Sequence, residues 1–212
     1  DGIDDHINLN LGSVQLGGPM TIEIVVKFTG KGKTNARFFD FGTGSSTDDR
    51  IFLFHSENDP TLQKRVGAVV SLETYAYSTA DAIVYGARQH YVVTIGGSHL
   101  VIFLDGVQIG SISATNPNVL TRASCKIGRN SQTAVSNGYW PGEVSLFKIY
   151  SGAMTPTQVT TIYNNFMTSS PTGWTTGTLS GGPQGPDCDT VCGIHSCNAD
   201  RMNAVNSEAH FV

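Results

Sequence analysis

Five glutamates, Glu23, Glu57, Glu73, Glu143 and Glu208, are the carboxylates with the reach to work on a glycosidic bond. That cleavage needs two carboxyl groups across a cleft, one as acid and one as nucleophile or base. None of the five sits in a Glu-x-Asp-x-x-Glu arrangement that would carry both on one strand. The chain also lacks a Gly-x-Ser-x-Gly nucleophile elbow and a His-Glu-x-x-His zinc helix. Its histidines, His6, His55, His90, His99, His195 and His210, show no ligand spacing. A non-enzymatic protein is expected.

Sulfur and oxygen offer two further chemistries. Cys188-x3-Cys192-x2-His195-x-Cys197 fits no standard zinc spacing. Disulfides are the better use of the four cysteines, and an even count in a Gly- and Thr-rich, Lys-poor chain favours an oxidising compartment. Two bonds would then join Cys125 to one of Cys188, Cys192 or Cys197 and pair the other two, docking the tail onto a sandwich. Acidic residues gather in three places: Asp1, Asp4 and Asp5; Asp48 and Asp49; Glu57 and Asp59. A calcium loop converges several oxygens, and none of these stretches is that dense, so solvated turns are the preferred reading.

Sugar recognition uses exposed aromatic rings that stack on the apolar face of a pyranose. Tyr75 and Tyr77 lie two apart and share a sheet face if LETYAYS is extended. Tyr139 and Trp140, in SNGYWPG, fall on a loop. The competing and preferred fate of such rings is burial, with Trp140 plugging one end of the fold.

The elements that must carry these residues are strands. His6–Leu11 alternates with period two, and Thr21–Phe28 is long and β-branched. Further strands are expected at Ala36–Phe41, Arg50–His55, Arg65–Leu72, Gln89–Ile95, Leu100–Leu104, Val107–Ser111 and Gly142–Tyr150. Asp105-Gly106 reads as a two-residue hairpin turn, because both residues tolerate positive φ. About ten strands at roughly 8–12-residue spacing make a sandwich. One helix follows, a turn and a half long, with Thr155 as N-cap, Pro156 at its first position and Val159, Ile162, Tyr163 and Phe166 on one face. It is expected as a lid on the sandwich end.

Composition changes after Met167. Residues 168–186 are rich in Thr, Ser, Gly and Pro and read as an extended linker between a body at 1–167 and a Cys-containing tail at 187–212. Thr168, Ser169, Ser170, Thr172, Thr175, Thr176, Thr178 and Ser180 are its candidate O-glycosylation sites, whereas no Asn-x-Ser/Thr acceptor occurs. Net charge is −4 with 13 scattered Lys and Arg, which argues against a nucleic-acid partner. No apolar run approaches the roughly 18 residues of a membrane span. Nor does a basic-then-apolar leader open the sequence, so any signal peptide is expected to be absent or removed.

The segments DGIDDHINL, GGPMTIEIVVKF, FFDFG, QHYVVTIGGSHLVIFLDGVQIGS and KIGR, followed by WPGEVSLFKIYSGAMTPTQVTTIYNN, occur in an order that resembles the laminin-G-like/concanavalin A-like lectin superfamily. The resemblance covers residues 1–166. It implies an all-β, antiparallel two-sheet jelly-roll β-sandwich with one short C-terminal helix, here followed by an extended disulfide-bearing tail. It also implies a scaffold that binds sugars, proteins or calcium, or hydrolyses glycans; no cofactor other than calcium is suggested.

Members of that superfamily usually carry an apolar half-strand directly before the Asp-Gly-x-Asp-Asp opening, where this sequence starts at Asp1. The last residues, Glu208 to Ala209, His210, Phe211 and Val212, have the alternating character of that half-strand. The expected function is thus an extracellular, secreted or cell-surface building block. It is either one repeat of a tandem protein or a subunit whose tail completes the next, a head-to-tail homopolymer. The alternative is a lectin-like adhesion module that binds glycans.

Overall fold

The computed structural model describes residues 5–30, 36–43, 49–56, 64–70, 74–131 and 138–169. The strands are β1 (Ile7–Leu9), β2 (Gln15–Leu16), β3 (Met20–Phe28), β4 (Arg37–Gly42), β5 (Ile51–Ser56), β6 (Arg65–Val70) and β7 (Thr74–Tyr77). They continue as β8 (Arg88–Gly96), β9 (His99–Leu104), β10 (Val107–Ser113), β11 (Leu120–Thr121), β12 (Ser124–Ile127) and β13 (Gly142–Ser151), and α1 (Pro156–Ser169) follows. One sheet runs β1-β12-β4-β5-β6-β7, the other β10-β9-β8-β3-β13, and β11 pairs with β2 apart from both. Neighbouring strands in the two large sheets are antiparallel, as a jelly-roll sandwich requires.

Alternation explains the core. Ile22, Ile24, Val26 and Phe28 of β3 face Phe39, Phe41, Leu53 and Ala68 of the other sheet in one buried cluster. The bulge between Arg37 and Phe39 turns both Phe38 and Phe39 inward. The Asp105-Gly106 turn forms as expected, with φ of 50° and 79° joining β9 to β10. At one margin β7 lies against β10 so closely that a Cβ on Gly110 would come within 2.4 Å of the Tyr77 carbonyl oxygen.

Three expectations change. The short strands β2 and β11 escape a periodicity reading because two residues cannot show a period. The helix has 14 residues instead of a turn and a half, and Thr168 and Ser169 fall in its last turn, not in a linker. A capping box starts it: Thr155 Oγ1 accepts from the Gln158 amide at 3.3 Å, and Gln158 Oε1 accepts from the Thr155 amide at 2.8 Å. Nor is it an end lid. Val159 packs on Val92 and Phe103, which point away from the inter-sheet core, so α1 covers the outer face of β8 and β9. The chain divides into two units at Phe166, and of the second only helix residues 166–169 are described.

Candidate functional site

The outer face of the six-stranded sheet carries aromatic rings and guanidinium groups. Tyr75 sits opposite Val69 and Tyr77 opposite Gly67, and the same rows continue through Phe52 and Phe54 on β5 to Asp40 and Arg37 on β4. Cross-strand partners share a face, so all of these side chains leave the sheet together. The Tyr75 and Tyr77 rings lie 6.2 Å apart with planes only 9° off parallel. Tyr75 remains 40% exposed, while Phe52 and Phe54 are buried.

Behind the tyrosines, the Arg37 guanidinium lies 4.0 Å from the Phe52 ring centroid and that of Arg50 lies 4.8 Å away. Arg50 donates to both oxygens of Asp40 and, at 2.9 Å, to Asn130 Oδ1. Burial draws the Arg37 guanidinium down to about 10; Asp40 opposes the fall and Arg50 adds to it. The result is a rigid floor of rings and cations under one accessible tyrosine edge. Sequence reasoning missed Arg37, Arg50, Phe52 and Phe54. The signal was the run IFLF, which places phenylalanines on one face and aliphatics on the other.

The other aromatic candidates are elsewhere. Trp140 is 4% exposed and packs edge-on to Phe28 at 5.5 Å, so its ring is core and offers no sugar platform. Tyr139 is held between His6, at 6.1 Å, and the Arg129 guanidinium, at 5.0 Å. That places it by β1, at the opposite margin of the sheet from β7.

Cys125 is 3% exposed and faces the core, a free thiol among the described residues, and its Sγ lies 3.3 Å from the Arg122 carbonyl oxygen. Burial pushes the thiol up to about 12, which leaves almost no thiolate for exchange. Cys188, Cys192 and Cys197 lie outside the described residues, as do Ala209–Val212 and the linker hydroxyls from Ser170 to Ser180. Among the calcium candidates, Asp49 clamps the chain: Oδ2 accepts from the Asn118 amide at 2.6 Å, and Arg122 donates to the Asp49 carbonyl. Asp1, Asp4, Asp48, Glu57 and Asp59 fall outside the described residues, and among those described no three His, Cys, Asp or Glu residues group as a metal site.

Two other features went unread in the sequence. Glu23, 1% exposed on the outer face of β3, accepts from His90 at 2.8 Å and from the Tyr150 hydroxyl, with Lys148 Nζ at 3.8 Å. Its burial raises the carboxyl, but those bonds and the Lys148 charge outweigh the burial and leave it below the usual carboxylate value. The second feature is the margin opposite β7 and β10. Its lips are β1 and β13, each paired on one side only among the described residues. Ile7 and Leu9 pair with the buried, core-facing Ile127 and Cys125 and so point inward, as do Val144 and Phe147 opposite Val26 and Ile24. Yet Ile7 is 44% exposed, and the other three are only half-buried.

Comparison with known proteins agrees with this architecture. A native heptameric SAP-like pentraxin from Limulus polyphemus superposes with a TM-score of 0.58 at 16% identity, over 74% of this chain and 75% of that one. The CBM40 domain of the Ruminococcus gnavus IT-sialidase, bound to α2,3-sialyllactose, gives 0.58 at 11% identity over 71% and 84%. Trypanosoma rangeli sialidase gives 0.53 at 12%, over 68% of this chain but only 22% of that one. A search of curated protein sequences gives no match. Residues 1–160 match the family model of the concanavalin A-like lectin/glucanases superfamily, and the chain belongs to that family.

Proposed function

We propose that this chain is a non-enzymatic extracellular building block. Units join head to tail into a fibre, appendage or matrix, each tail completing the jelly roll of the next. The observation that carries the reading is the open margin: β13 is ten residues long and is bonded to a neighbour on one side only among the described residues. A long unpaired edge invites strand addition, and natural sheets usually cover one. A head-to-tail contact of this kind is heterologous and extends into filaments unless a rotation closes it. Residues 170–186 act as spacer, with their hydroxyls as sites for O-linked sugars, and the tail cysteines lock the donor segment. Sedimentation velocity and negative-stain microscopy of the full chain, beside Phe211→Asp, test this. Assembly that grows with concentration is expected for the parent, and folded monomers for the variant. Monomers in both would end the reading.

A second reading rests on the parallel Tyr75 and Tyr77 rings. A glycan-binding module would place a sugar on the exposed Tyr75 edge, with Arg37 and Arg50 fixing the floor beneath it. The fold neighbours fit this, since the CBM40 domain is a carbohydrate-binding one seen with sialyllactose. Tyr75→Ala should abolish binding on a glycan array while costing less than about 1 kcal/mol, as befits an exposed residue. Unchanged binding, or a large loss of stability, would return Tyr75 to a packing role.

A further inference from the structure

We infer that the acceptor in this assembly is the edge of β13 that is unpaired among the described residues, and that its occupant is residues 208–212 of a second copy of this chain. The inference rests on the building-block reading and adds the place and partner. Of the two lips, β1 has three residues and is soon followed by a turn at Gly12 and Ser13, too short to hold a strand alone. β13 offers ten residues with no proline, and every amide on its outer side is a bonding site. Val144 and Phe147 of β13, and Ile7 and Leu9 of β1, each lie opposite core-facing residues of their own sheet and so point between the sheets. A strand laid on β13 would drop alternate side chains between these rows. They would be apolar and of moderate size.

Glu208–Val212 has a sequence that, laid out as a strand, would put Ala209 and Phe211 on one face and His210 and Val212 on the other. Either face presents an apolar residue at the mouth of the slot. The intervening stretch 170–207 reaches on the order of 120 Å when extended, enough for a neighbour's margin. A reach of that length serves a neighbour's margin, and the concentration dependence tested below separates that edge from the chain's own.

Hydrogen exchange of the peptide covering Gly142–Ser151 is the readout, measured on the full chain over a dilution series beside Phe211→Asp. A third protein, Ile7→Lys, puts an inward-pointing charge at a lip that is already part-exposed, so the sandwich itself is spared. At assembling concentration the parent's β13 amides should exchange about tenfold more slowly than those of Phe211→Asp, the slowing expected at nine-tenths occupancy. Dilution should erase the difference, and Ile7→Lys should behave as Phe211→Asp. Assembly with unchanged β13 exchange would overturn the acceptor while leaving the building-block reading intact. Protection that persists on dilution and in Phe211→Asp would mean another segment fills the edge, which overturns the occupant. Absence of assembly in every protein would overturn the reading and the inference together.

Discussion

Trp140 separates core from ligand platform most sharply. Its indole packs on Phe28 at 5.5 Å and Phe38 at 5.4 Å, is 4% exposed, and lies over Gly142. A buried indole hides roughly 200 Å², worth about 5 kcal/mol at ~25 cal/mol per Å². A compact denatured state lowers that figure, and Trp-to-Ala truncations typically cost about 3–5 kcal/mol. Set against a total of about 5–15 kcal/mol, Trp140→Ala should leave a barely stable protein, with Tm down by on the order of 10 °C. Trp140→Phe should cost much less, because Nε1 has no hydrogen-bond partner among the described residues. Gly142 gives a second test. A Cβ there would stand 2.2 Å from the indole and 2.7 Å from the Lys27 carbonyl oxygen. Gly142→Ala should therefore be destabilising, and less so by about 1–2 kcal/mol once Trp140 is already Ala. Urea unfolding followed by far-ultraviolet circular dichroism measures the parent and all four variants without relying on tryptophan emission. A Trp140→Ala protein that keeps its stability but loses glycan binding would refute the core assignment.

Two further outcomes follow from buried groups. Glu23 has a carboxyl held below its ordinary value of 4.5, so its contribution is fully present above that pH and is lost as pH falls through the lower folded value. The stability difference between the parent and Glu23→Gln should accordingly be constant near neutrality and shrink in acid; a difference that widens in acid would contradict the sign. Cys125 should resist alkylation in the native protein at pH 8 and react at once in denaturant, because burial raises its thiol to about 12. Finding Cys125 joined to a tail cysteine by non-reducing peptide mapping would overturn its placement in the core.

Much of the body was legible along the chain because its signals are local. Period-two alternation marks β1, the unbroken apolar run LVIFL marks β9, and Asp105-Gly106 can hardly be anything but a tight turn. Thr155 and Pro156 name the start of α1 from capping chemistry alone. The length of α1 was not legible, since Thr-rich turns with weak intrinsic propensity are held by packing of Val159 on Val92 and Phe103.

The residue types available for recognition were set by the sequence, which supplies the tyrosine pair, the cysteines and the alternating segment at 208–212. Only tertiary structure could say which ring meets solvent. Tyr75 and Trp140 are both aromatic residues near turns, yet one stands on an outer face at a sheet margin and the other is enclosed by Phe28 and Phe38. Burial depends on what arrives from distant parts of the chain. The same holds for Arg37, Asp40 and Arg50, which become one cation-and-ring floor only when β4 and β5 align with β6 and β7. The margin left open among the described residues is likewise a property of strand order, because an edge exists only relative to the neighbours placed beside it.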